Sequence, residues 1–418
     1  MSDKRRQRRD FIQNMVITVL TVSAVLLFAQ LYSLGADSPL HRILAGSGQA
    51  DASAALADGR ELTAPVRLAV SGPYGRNGSI TAVSGEDEAL QTLLREVLGS
   101  TDTFSPCQQE AFLGALQGSC VYWDYLSPLP LSILARLAGT TGPDEPSARC
   151  LLVSGESDPV TLYLWDGGES YLRCATAVSL KNLEQTVARY ELGSAVFAAD
   201  LAPGDPNAGE VAPCSLFLTA TPQLPQLLGE TPAYDDSALL AELGFNPNTK
   251  NLYTDNGTEV ISEGGRSLRL RPDGVLTYQS GGDGALTIDA AGEQPTMEEA
   301  AVGVNALLER LLAPYAGEEK LYLTAIRQSG ALTALRFGYQ VGGVPVRFAD
   351  GDAAAEVTLD RGVVSSLTLR IRRYTPGGSG TPLLPLRQAL AAAGDGVELA
   401  IGYADRGGST VSASWLAD

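Results

Sequence analysis

Residues 11–34 (FIQNMVITVLTVSAVLLFAQLYSL) carry no charge and follow a tail holding Lys4, Arg5, Arg6, Arg8 and Arg9 against Asp3 and Asp10. As a helix this run extends about 36 Å at roughly 1.5 Å per residue, enough to cross a hydrocarbon layer about 30 Å thick with modest tilt. Positive flanks stay cytoplasmic. The expected arrangement is a cytoplasmic basic tail (1–10), a single transmembrane helix (11–34) and a body outside the cell membrane. A cleaved signal peptide has an apolar core of about 7–15 residues and small residues before the cut. Here the core is longer and Leu34 stands where a small residue is wanted, so we read an uncleaved anchor.

Residues 35–62 are rich in Ala, Gly, Ser and Asp without a sustained apolar face, the pattern of a juxtamembrane tether. The remainder is long enough for two or three domains at about 100–200 residues each. In 63–178, PVRLAV reads as a strand, Ser84 as the cap of a helix whose stripe is Leu90, Leu93, Leu94, Val97 and Leu98, and CVYWDYL, CLLVSG, VTLYLW and YLRCATAV as strands. The unit 179–290 opens with the helical SLKNLEQTVARYELG and continues as a meander with turns at Asn256-Gly257, Gly264-Gly265 and Asp273-Gly274. The unit 291–418 starts at Thr296 and Glu299, a capping-box spacing. It continues through strands at 319–328, 331–342, 344–348, 354–360 and 362–373, a glycine-rich loop at 374–382, a short helix and two closing strands. The expected fold class is α+β with antiparallel sheets. RLRPDGVLTYQS (269–280) and TLDRGVVSSLTL (358–369) echo each other as strand, two-residue turn, valine, strand.

Net charge is −18 although the first ten residues are net basic, so the body repels phosphate backbones and nucleic acid is excluded as a partner. The single histidine, His41, falls in the tether, which leaves no imidazole for a Ser-His-Asp or Cys-His site in the folded body. Five cysteines (Cys107, Cys120, Cys150, Cys174, Cys214) lack metal-ligand spacing. Cys107 and Cys120 could close a loop, but we read the cysteines as free, buried side chains. Neither metal nor cofactor is expected. Asp350-Gly351-Asp352 with Glu356 has calcium-binding residue types but not an EF-hand spacing, and reads as a polar turn. Asp235-Asp236 and Glu298-Glu299 read as charges at helix N-termini. Asn77-Gly78-Ser79 and Asn256-Gly257-Thr258 match the glycosylation sequon but read as hairpin turns. Trp123, Trp165 and Trp415 lie in apolar strands and read as core. In the membrane helix Asn14, Thr18 and Thr21 share a face. They form either a contact surface for a partner's helix or residues satisfied on their own backbone.

GFNPNTKNLYTDNGTEVISEGGRSLRLRPDGVLTYQS (244–280), ALRFGYQVGGVPVRFADGDAAAEVTLDRGVVSSLTLRIRRY (334–374) and the basic tail with its single anchor together resemble the YycH and YycI proteins. The C-terminal LLPLRQALAAAG…ELAIGYADRG…SASWLAD is similar to the helix-then-hairpin unit of PepSY-like modules. The resemblance covers the anchor and residues 180–418, with more Ala and Gly and fewer Lys than the family pattern. It implies a non-enzymatic regulator of a sensor histidine kinase of the WalK (YycG) type that controls cell-wall metabolism. Such a regulator contacts the kinase through its transmembrane face (Asn14, Thr18, Thr21) and external domains, with a homologous YycH or YycI protein as a further partner. The alternative is a cell-wall-associated binding or protease-inhibitory PepSY-like module.

Overall fold

The computed structural model describes residues 62–79, 88–201, 212–233, 236–246, 252–281, 286–292, 294–380, 382–393 and 398–417. The basic tail, the expected transmembrane helix with Asn14, Thr18 and Thr21, His41 and Ser84 lie outside these residues. Among the described residues no helix is long and apolar enough to cross a membrane.

Strands β1 (Arg67–Gly72) and β2 (Gly75–Ser79) form a hairpin, followed by helix α1 (Glu88–Gly99). The stripe Leu90, Leu93, Leu94, Val97 and Leu98 is buried as its spacing requires, each side chain contributing about 1.5–3 kcal/mol. Short β3 (Ser105–Pro106) and α2 (Gln109–Ala115) lead into the long β4 (Cys120–Pro130) and α3 (Leu131–Leu137). Strands β5 (Ser147–Ser154), β6 (Thr161–Trp165) and β7 (Tyr171–Ala175) follow, then α4 (Leu180–Val187), β8 (Ala195–Phe197) and β9 (Leu216–Leu218). The nine strands make one antiparallel sheet in the order β3-β7-β6-β5-β4-β1-β2-β8-β9.

The second sheet draws on β10 (Gln226–Glu230) and, after α5 (Asp236–Glu242), on β11 (Leu252–Asp255), β12 (Thr258–Glu263), β13 (Arg266–Leu270) and β14 (Val275–Ser280). Helix α6 (Met297–Leu312) separates these from β15 (Glu319–Ser329), β16 (Leu332–Val341), β17 (Val344–Phe348), β18 (Ala355–Asp360), β19 (Val363–Arg370) and β20 (Arg373–Gly378). Helix α7 (Leu386–Ala393) and strands β21 (Leu399–Asp405) and β22 (Thr410–Ala417) close the chain. The thirteen strands run β11-β12-β13-β14-β19-β18-β16-β17-β21-β22-β10-β20, with β15 added on β16. Among the described residues only β17 with β21 pairs in parallel. The protein is thus mixed α+β with antiparallel-rich sheets, and one hydrophobic core runs through both.

The chain segments do not follow the sheets. Within 179–290, β8 and β9 complete the first sheet, whereas β14 pairs with β19 in the second. That pairing sets the two echoed hairpins, β13–β14 and β18–β19, side by side.

Local chemistry explains most turns. Asn256 and Gly257 have φ of 49° and 80°, the double left-handed conformation of a two-residue hairpin. Asn77-Gly78 is different: both residues lie inside β2, and the turn is at Pro73-Tyr74. Gly78 is needed for packing, because a Cβ there would stand 2.6 Å from Ala195 Cβ. The glycine-rich stretch after Arg373 is also not a loop, since its first half is β20, paired with β10. Pro376 is tolerated because β20 ends the sheet. Thr296 caps α6 as its spacing predicts, its hydroxyl accepting from Glu299 N at 3.1 Å while Glu299 Oε2 accepts from Thr296 N at 2.9 Å.

Candidate functional site

Charged residues inside otherwise apolar strands are costly unless paired. Three of them, Arg67 on β1, Asp124 on β4 and Arg149 on β5, meet at the seam between the two sheets, where Glu398 arrives just ahead of β21. The β1–β4 register sets Arg67 directly across from Asp124. Irregular pairing of β4 with β5 between Asp124 and Leu129, where Leu126 adopts φ of 62°, lets Leu126 N donate to Asp124 Oδ1 at 2.8 Å. Arg149 grips Asp124 with Nε at 3.0 Å and Nη2 at 3.2 Å, and Arg67 Nη1 donates to Oδ2 at 3.1 Å. Glu398 accepts from Arg149 Nη1 at 3.0 Å and Nη2 at 2.7 Å and also from Arg67, whose Nη2 reaches the Leu399 carbonyl at 3.0 Å. The Arg149 guanidinium also lies over the Trp165 ring, 5.2 Å from its centroid.

Two guanidiniums and two carboxylates thus neutralise one another out of water. Burial alone would raise the Asp124 carboxyl, but Arg67 and Arg149 overcome it and hold the group below its ordinary value. Glu398 is likewise held low by the same two arginines against its own desolvation. Both Asp124 oxygens are occupied by donors, so the cluster fastens rather than offers a base.

The chain leading from the N-terminal segment enters this seam. Leu62, Thr63 and Val66 are buried. Leu62 O accepts from Leu323 N of β15 at 2.7 Å, and Val66 N donates to Asp124 O at 2.8 Å. Five residues of incoming chain are therefore held by the second sheet at one end and the first sheet at the other.

A second buried fastener lies within the C-terminal half. Asp405, 2% exposed, accepts from Arg372 Nε at 2.8 Å and Nη2 at 3.2 Å, from Tyr374 Oη at 2.7 Å and from Gly407 N at 2.7 Å.

The other residues singled out in the sequence fall elsewhere. Asp350 and Asp352 accept from Arg370 at 2.7 and 3.3 Å, and Glu356 turns away to Arg336, so a cation of the protein's own already sits between the two aspartates. Among the described residues no group of three or more His, Cys, Asp or Glu side chains is placed to hold a metal ion. Trp123 and Trp165 are buried, while Trp415 is half-buried and donates through Nε1 to Leu384 O at 2.8 Å.

All five cysteines are free thiols, Cys107 half-buried and the other four buried. Burial pushes each thiol up, Cys120 to about 11 and Cys214 to about 12. The thiolate is the reactive form, so iodoacetamide at pH 8 is expected to label native protein at Cys107 alone, and all five after denaturation. Rapid native labelling of Cys150 or Cys214, located by mass spectrometry, would contradict the buried placement.

Compared with known proteins, the chain matches no family model, no curated protein and no solved structure.

Proposed function

We propose that this protein is a non-enzymatic, membrane-anchored regulator of a WalK-type sensor histidine kinase, acting from outside the cell membrane through its membrane helix and external body. The observation that carries this reading is the clamped segment from Leu62 to Arg67. Leu62 is tied to β15, Arg67 is tied to Asp124 and Glu398, and both ends belong to the chain that leads back toward the apolar run at 11–34. Such a segment can pass a change in sheet packing to an anchor, provided a partner binds the two packings with different affinity. Support also comes from the segments that resemble YycH and YycI, which supply the meander β11–β14 and the strands β16–β19.

The test is co-purification of the full chain with the sensor kinase in detergent. The parent chain is expected to retain the kinase. Interhelical polar contacts average about 0.6 kcal/mol each, so replacing Asn14, Thr18 and Thr21 together with leucine should weaken association by about 2 kcal/mol while preserving insertion. A parent chain that leaves the kinase behind but sediments with insoluble peptidoglycan would overturn the reading in favour of a wall-binding module.

A further inference from the structure

Among the described residues, strands β13, β14, β19, β18 and β16 of the second sheet turn one face to solvent, and the strand registers define what it displays. One row across neighbouring strands reads Arg269, Thr277, Thr368, Glu356, Arg336, on β13, β14, β19, β18 and β16 in turn. The adjacent row reads Ser267, Gln279, Ser366, Thr358, Ala334. Residues alternating with these, among them Leu268, Leu276, Leu367, Val357 and Leu335, are buried, whereas Arg269, Gln279, Thr368, Glu356, Arg336 and Ala334 are exposed. The face is therefore broad and lined by small hydroxyl side chains. It is also not acidic, although the chain carries a net charge of −18. Arg269 makes no ion pair among the described residues, and Glu356 and Arg336, each about half exposed, pair with one another at 2.8 Å.

We infer that this face binds the same face of a second copy of the chain, around a two-fold axis running along the β14–β19 boundary. Only a self-complementary pattern can close such an interface, and the four strands flanking the axis, β13, β14, β19 and β18, carry one, with β16 falling over β12 at the rim. With the axis there, Arg269 of one copy lies over Glu356 of the other, Thr277 over Thr368, Gln279 over Ser366, and Ser267 over Thr358. Opposite charges meet, and small residues meet small ones. Moving the axis onto β19 would set Arg269 over Arg336, a like-charge contact that costs affinity. The four matched strands at about 4.8 Å spacing, carrying two side-chain rows about 7 Å apart along each strand, make a patch on the order of 200–300 Å², well below the roughly 800 Å² per partner of a standard stable interface. The dimer is accordingly concentration-dependent and weakens with salt.

This inference does not rest on the kinase reading, and its test contains no kinase. The full chain in detergent is followed by sedimentation equilibrium over a range of concentrations. The expected result is a reversible dimer whose dissociation constant rises at least about tenfold in Arg269→Glu and in Glu356→Arg, because each reversal puts like charges face to face twice per dimer. The combined Arg269→Glu/Glu356→Arg chain restores dimerisation. Both positions are exposed, and an unchanged circular dichroism melt verifies folding of each variant. A chain monomeric at every concentration would overturn the inference. So would a dimer indifferent to either reversal, as one made by the anchor would be, or a combined variant that fails to recover.

Discussion

Asp124→Ala is expected to lower unfolding free energy by about 3–5 kcal/mol, the cost of breaking a buried ion pair by removing one partner. The variant leaves Arg67 and Arg149, both nearly inaccessible to water, facing the single carboxylate of Glu398. It also strips the Leu126 N–H of its acceptor. The loss is a large part of the 5–15 kcal/mol that holds a typical domain together. Asp350→Ala is the contrast. It removes an ion pair to Arg370 that is about half exposed on the aspartate side, and should cost no more than about 1 kcal/mol. Urea unfolding measures both, and an Asp124→Ala loss as small as that of Asp350→Ala would show that the seam is held by its apolar contacts alone. The same cluster fixes a pH dependence. Asp124 and Glu398 are held below their ordinary carboxylate values in the folded protein, so the unfolded chain binds protons first as acid is added. The stability they contribute is present in full above the ordinary carboxylate range, about pH 4, and is lost as pH falls below it. Melting temperature should be insensitive to these groups near neutrality and drop on the acid side, more shallowly in Glu398→Gln.

Asp405→Ala is expected to cost about as much, 3–5 kcal/mol by the same argument, but in a different place. The Asp405 carboxylate holds Arg372 and Tyr374, which flank the first residue of β20. Losing it frees the strand that ends the second sheet. Tyr374→Phe removes only the hydroxyl and the hydrogen bond to a charged acceptor, and should cost about 1.5–3 kcal/mol. Hydrogen exchange locates the damage. In Asp405→Ala the amides of β10 and β20 should lose protection before those of β4 and β5. Uniform loss across both sheets would mean that the two fasteners are not separable.

Much of the fold was legible residue by residue. The α1 stripe, the Thr296–Glu299 cap and the Asn256-Gly257 turn are local rules, satisfied within a few residues of sequence. Local rules fail where a neighbour from far along the chain competes. Asn77-Gly78 has a turn's composition, yet it lies in a strand because β8 and β9 approach so closely that only glycine fits. The stretch after Arg373 has a loop's composition, yet it is a strand because β10 supplies a partner. Asp350, Asp352 and Glu356 are no such failure: they read as a polar turn, and Arg370 and Arg336 take up their carboxylates.

The seam cluster had a signal that could have been read. Arg67 in VRLAV, Asp124 in VYWDYL and Arg149 in ARCLLV are single charges within apolar strands, and a charge there requires an opposite charge nearby. What sequence alone determined was the inventory: alternating strands, capped helices, an acidic body and three charges in need of partners. Which charge answers which was decided by tertiary structure. Glu398 lies 331 residues from Arg67 and 249 from Arg149, and periodicity carries no information across such separations. The partner is set by burial, because once β21 docks at the seam, an unpaired carboxylate or guanidinium there costs more than any local preference can repay.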